Sequence, residues 1–211
     1  MSKTVVNNTM TKIAKILLIG FLVLNCSCQR NDSNAELKNH FTENEIEDLI
    51  LITDFFKEQI CQNKTETDFK ECFEKILPEL VDNGWQPILE RVDFDLQKKL
   101  YEKISKSTFN KIWGISKSWK YPDKTEYKSI GVGTVGNYIE YLKELGIKSE
   151  FIKEYTNGIL ARGGIDGMFS LQTHIYQNPN DLDLNDLNIQ IIISIHYLTQ
   201  NDYEKRDEKW D

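Results

Sequence analysis

Beyond Phe41, apolar residues recur three and four positions apart along most of the chain. That spacing places them on one face of a helix and leaves the opposite face polar. Ile46, Leu49, Ile50, Thr53, Phe56 and Ile60 form a first stripe, with Thr42 or Asn44 as cap and Glu45 and Glu47 in the first turn. Phe69, Phe73, Ile76, Leu77 and Leu80 form a second, kinked or interrupted at Pro78 and ended by Asn83-Gly84. Leu96, Leu100, Tyr101 and Ile104 mark a third helix. Ser107 or Thr108 opens a fourth, which carries Phe109, Ile112, Trp113, Ser116 and Trp119 and stops before Pro122. Residues 123–136, DKTEYKSIGVGTVG, read as an extended glycine-rich loop.

Tyr138, Tyr141, Leu142 and Leu145 restart a helix that Gly146 ends. Another begins at Ser149 and carries Phe151, Ile152, Tyr155, Ile159 and Leu160. The turn RGGIDG (162–167) leads to a short amphipathic piece around Met168–Tyr176. In NDLNIQIIISIHYLTQ, the isoleucines favour a buried strand by propensity. Its length and the helical spacing of Leu187, Ile191, Ile192, Ile195 and Leu198 favour a buried C-terminal helix. The expectation is an all-α fold: one mainly helical domain of seven or eight helices over residues 41–211.

The N-terminus has a different grammar. Lys12 and Lys15 precede ILLIGFLVL, residues 16–24. Nine helical residues rise about 14 Å, against a hydrocarbon core of about 30 Å, so the run is too short to span a bilayer. A basic start, a short apolar centre and small or polar residues behind it make a secretory signal peptide. It is followed by LNCSCQ, with Cys26 and Cys28 one residue apart. A cysteine closing a signal peptide resembles the bacterial lipobox, and the chain is identified on it as a lipoprotein; the resemblance covers the first 28 residues.

The lipobox has an aliphatic residue at −3 and a small residue at −1, just before the cysteine. For Cys28, −1 is Ser27 but −3 is Asn25; for Cys26, −3 is Val23 but −1 is Asn25. The small residue next to the cut favours Cys28, with Cys26 the alternative. The resemblance implies removal of residues 1–27, acylation of the cysteine and membrane attachment through lipid. More than one acyl chain is needed for lasting anchorage. Gln29, rather than Asp, follows Cys28; by the same resemblance the address is the outer rather than the inner membrane. Residues 28–40 are polar and aperiodic and read as a flexible tether, with His40 solvated at its end.

Export gives the other two cysteines a meaning. In an oxidising compartment, Cys61 and Cys72 suit a disulfide, because NKTETD between the first two helices forms a turn that folds them back on each other. Zinc is not expected, since no histidine is near and a structural site wants about four ligands.

Charge and motifs exclude more than they assign. The formal charge is −7, and loss of residues 1–27, which carry only Lys3, Lys12 and Lys15, takes it to −10. Such a surface excludes nucleic acid as a partner and suits a basic envelope protein or peptide. Gly131, Gly133 and Gly136 spell G-x-G-x-x-G, but the flanking pattern is not strand–helix–strand, and no cofactor is expected. DLDLND (181–186) has Asp186 and Ile192 where a calcium loop needs Gly and Glu, so Asn185 and Asp186 read as helix caps. Trp113 belongs with the core; Trp119 and Tyr121, beside Pro122, are the aromatic binding candidates. His196 reads as a satisfied core residue, which leaves His174. No short catalytic motif is present. The leading expectation is a non-enzymatic binding module; the alternative is an envelope hydrolase that uses acidic residues.

Overall fold

The computed structural model describes residues 35–61, 68–119, 122, 124–165 and 171–210. Among the described residues there are ten helices and one two-stranded antiparallel sheet, so the fold is mainly helical as the periodicity demands. None of these helices is long and apolar enough to cross a membrane. The signal peptide, Cys26, Cys28 and Tyr121 lie outside the described residues.

Helix α1 (Ala35–His40) lies in the segment that reads as tether. Leu37 is fully buried, and Glu36 pairs with Lys148. His40 is not solvated: its Nε2 lies 2.6 Å from a Glu144 oxygen, and the neighbouring Asn39 donates to the other at 2.8 Å. One buried leucine and polar contacts over a hundred residues away hold this turn in the fold, and neither shows as periodicity in six residues.

Helix α2 (Glu43–Ile60) starts with a capping box: Thr42 Oγ1 accepts from Glu45 N–H while the Glu45 carboxylate accepts from Thr42 N–H. Its buried face holds Ile46, Leu49, Ile52, Phe56 and Ile60; Ile50 turns outward. Helix α3 (Phe69–Asn83) is capped by Asp68 and runs through Pro78 without ending. Pro78 and Glu74 are both exposed, so water can satisfy the Glu74 carbonyl that proline leaves without a donor. Gly84, at φ 61°, stops it. Cys61 ends α2 and is bridged to Cys72 in the first turn of α3, with Cα atoms 4.9 Å apart.

The short α4 (Gln86–Arg91) escapes the spacing argument; Pro87 in its first turn is its signal. Arg91 forks onto both Glu79 oxygens at 2.9 and 3.0 Å, tying α4 to α3. Helix α5 (Phe94–Lys103) is capped by Asp93, and α6 (Lys106–Ile112) by Ser105 rather than Ser107 or Thr108.

The fourth helix read from sequence is only half a helix. At Trp113 the chain turns into strand β1 (Trp113–Trp119), which pairs with β2 (Glu126–Val132) from Trp113↔Val132 to Trp119↔Glu126. WGISKSW satisfies both a helical and an alternating pattern, and the partner that decides comes seven residues later, inside the stretch read as a loop. On its other side, β2 meets the C-terminal segment: Lys128 N–H donates to Glu208 O at 2.7 Å, and Trp210 N–H to Glu126 O at 2.9 Å.

Helices α7 (Asn137–Gly146) and α8 (Glu150–Arg162) pack as a hairpin so close at Gly146 that a Cβ there would lie 3.0 Å from Lys153 Cα. Gly163, at φ 83°, ends α8. Helix α9 (Leu171–Gln177) leads to α10 (Leu187–Lys205), capped by Asp186. Every residue of α10 from Ile191 to Asp202 is buried, so α10 is the axis around which α2, α4, α5 and β2 pack. This explains its apolar character on all sides.

Candidate binding surfaces

The isoleucine-rich helix brings polar groups into the core with partners attached. His196 Nδ1 lies 3.1 Å from the Tyr155 hydroxyl, and burial lowers the imidazole pKa to about 3, so it stays neutral at physiological pH. Trp113 Nε1 donates to Thr199 Oγ1 at 2.9 Å. Both residues are core, as their positions on apolar faces suggest. His174 is clamped rather than poised: its ring stacks on Phe151 at 3.7 Å, Nε2 lies 3.1 Å from Asp181, and Nδ1 faces Asn178.

A second polar cluster joins α2 to α6. Glu45 accepts from Lys111 Nζ at 2.5 Å and from Ser107 Oγ at 2.6 Å. Burial pushes its carboxyl up, but Lys111, Ser107 and Thr42 outweigh this and hold it at about 2. A carboxylate so stabilised is a poor base toward the Ser107 hydroxyl, and the cluster acts as a structural clamp.

The glycines of GVGTVG are divided between β2 and the entry to α7, where Gly136 stands at φ 110°. Among the described residues the sheet is a two-stranded antiparallel hairpin, not a βαβ unit. In DLDLND, Asp183 accepts from Asn185 N–H and Asp186 from Asn188 N–H, both at 2.9 Å. No cluster of potential metal ligands occurs among the described residues.

Among the described residues apolar groups face solvent at several places, Val135 and Ile147 most of all; two surfaces bring such groups together. The first is an open groove of about 290 Å³ between α2 and α5. The helices are bridged at both ends: Asp93 N–H donates to Gln59 Oε1 at 2.9 Å, and Ser105 N–H to Asp48 at 3.0 Å. These ties run α5 antiparallel to α2. Between them Leu51, Phe55, Leu96 and Leu100 form an apolar floor. Asp54 and Glu58 edge the α2 side, and Lys99 and Lys103 edge the α5 side. Leu96 is 43% exposed, although its spacing marks it for a core stripe. Leu51 and Phe55 had a sequence signal of their own: a second i, i+4 apolar pair offset from the buried face of α2.

The second surface is the hairpin. Trp119 is 64% exposed and Ile115 56% exposed, both on β1. Lys117 bonds Glu126 across the strands at 2.7 Å and lies over the Trp210 ring. Trp119 is thus a binding candidate that the fold leaves open to solvent. No protein-family model, curated protein or solved structure matches this chain.

Proposed function

We propose that this chain is a lipid-anchored protein of the cell envelope, held through acyl groups on Cys28 (alternatively Cys26). Its helical domain is a non-enzymatic module that receives an amphipathic helix of another envelope polypeptide. The observation that carries this reading is the α2–α5 groove, with an apolar floor between an acidic and a basic edge. A helix with apolar anchors at i, i+3, i+4 and i+7 fits such a groove. Basic residues along one edge of the incoming helix would face Asp54 and Glu58, and acidic residues along the other would face Lys99 and Lys103. The acidic surface of the mature chain favours a partner with net positive charge. The disulfide suits an oxidising compartment.

Only six residues separate Cys28 from α1. Fully extended they reach at most about 22 Å, so an anchored domain works close to the bilayer surface. An address at the outer membrane follows from Gln29 after the lipidated cysteine.

Intact-mass measurement of the N-terminal peptide from membranes tests the anchor; an unacylated N-terminus removes that half of the proposal. Titration with a synthetic leucine-anchored helix, basic on one edge and acidic on the other, tests the groove. The expected result is saturable binding, abolished by Leu96→Asp and weakened for a peptide of equal net charge whose basic and acidic residues are mixed along both edges. Equal binding of both peptides, or binding unaffected by Leu96→Asp, would count against the groove.

A further inference from the structure

Helix α1 runs antiparallel along α7. Glu36 pairs with Lys148, just past the end of α7. Asn39 and His40 meet Glu144 one turn back, and the Phe41 ring lies edge-on to Tyr141 at 5.7 Å. The His40 carbonyl closes the series, receiving Asn137 Nδ2 at 3.0 Å at the start of α7. The chain therefore enters the fold at Ala35, beside the turn between α7 and α8.

Ile147 stands on that turn and is 83% exposed. A lone exposed isoleucine is ordinary on a protein surface; its place is what matters here. It lines an open depression of about 340 Å³, together with Lys143, Glu150 and Lys153. Lys148 follows directly, its side chain 75% exposed. Residues 143–153 carry three lysines and two glutamates, in a chain of net charge −7. The carboxylates around this tip are each engaged: Glu36 by Lys148, Glu144 by Asn39 and His40, and Glu150 by Lys153 at 3.0 Å.

We infer that this tip docks on the bilayer to which the proposed acyl groups tether the chain, a reading on which this one rests. Ile147 enters the edge of the hydrocarbon, and Lys143, Lys148 and Lys153 lie among the headgroups. Lysine suits that depth, because its apolar stem follows the isoleucine while its ammonium stays with phosphate and water.

The chain between anchor and fold selects the occupant. Six residues reach at most about 22 Å, so an acylated Cys28 keeps Ala35, and the turn beside it, within that distance of the membrane. From free solution one isoleucine is too small to hold a protein on a bilayer. On a short tether its insertion is an intramolecular step at high effective concentration, and burying one side chain then suffices to orient the domain.

Other exposed apolar residues are placed elsewhere. Val135, 85% exposed, precedes the opposite end of α7, ten residues or about 15 Å along the helix. Trp119 and Ile115 belong to the hairpin at the far end of α10. That helix starts beside α7, where Tyr141 donates to Asn188 at 2.8 Å, and leads to the segment where Glu208 meets Lys128 of β2.

The test uses the full chain, purified with its lipid and reconstituted into vesicles of phosphatidylethanolamine and phosphatidylglycerol. Ile147→Cys carries an environment-sensitive fluorophore, Val135→Cys is the comparison, and the unaltered chain gives the labelling background. The mass of the N-terminal peptide is read on the same sample. The expected result is an acylated peptide, with emission at 147 shifted to the blue, quenched by nitroxide-bearing lipid and shielded from iodide in water. The label at 135 stays open to iodide. Because the label is itself apolar, a second reading places it at Glu150→Cys, where Ile147→Asp should abolish quenching by lipid. An acylated protein whose label at 147 meets iodide as freely as at 135, or whose label at 150 ignores Ile147→Asp, overturns the docking site and leaves the anchor standing. A peptide without acyl groups removes the anchor, and the docking site with it.

Discussion

Arg206 holds Asp202 one helical turn away through two hydrogen bonds of 2.8 Å each, at the end of α10. Asp202 is fully buried, and burial pushes its carboxyl up against the opposing pull of the guanidinium. The Ile130 backbone and the Tyr101 hydroxyl also bond it, so this one carboxylate joins α10, β2 and α5.

Removing the arginine strands a buried charge. Arg206→Ala is expected to destabilise the fold by about 3–5 kcal/mol in urea unfolding, far beyond the effect of an exposed ion pair. Arg206→Lys keeps the charge but loses the two-pronged geometry and should recover only part of the loss. Lys143→Ala, which breaks an exposed pair with Glu140 at 2.8 Å, is the control with little expected change.

Acid should lower stability through two overlapping windows, of which the His196 one alone extends above about pH 4.5. His196 is held at about 3 against 6.5 for a free imidazole, so the unfolded chain takes up that proton first. Its contribution is full above about 6.5 and is lost as pH falls toward 3. Glu45 is held at about 2 against 4.5, so its contribution is full above about 4.5 and is lost as pH falls toward 2. His196→Gln should flatten the stability curve between about pH 6 and 5, and Glu45→Gln the part below about 4.5, where up to about 3 kcal/mol is at stake. Unfolding by denaturant across pH would read both slopes. Unchanged slopes in these variants would show that other groups govern acid lability.

The Cys61–Cys72 bridge closes an interval of eleven residues. In the chain-entropy model it stabilises by about 2.7 kcal/mol. Reduction, or the paired Cys61→Ala and Cys72→Ala change, should lower the unfolding midpoint accordingly. Native protein whose two thiols both alkylate without reductant would contradict the bridge.

Most helices were legible because each carries its pattern within its own residues. Thr42 and Glu45, Ser149, Asp186 and the glycine ends at Gly84 and Gly163 are signals of a single turn. The errors lie where a residue's fate depends on a distant partner. Trp113, Ser116 and Trp119 fit a helix until β2 pairs with them. Leu96 looks like core by spacing, yet α5 is held over α2 by its ends and leaves that leucine at a groove. His40 looks like tether until Glu144 receives it.

By itself, then, the sequence determined the fold class, the buried character of α10 and the pairing of Cys61 with Cys72, since these follow from local spacing and a short loop. Only the tertiary structure decided that WGISKSW is a strand, that α1 belongs to the fold, and that Leu51, Phe55 and Leu96 meet at one surface. Strand pairing and groove formation join residues far apart in the chain, and their energies depend on contacts that no local window contains.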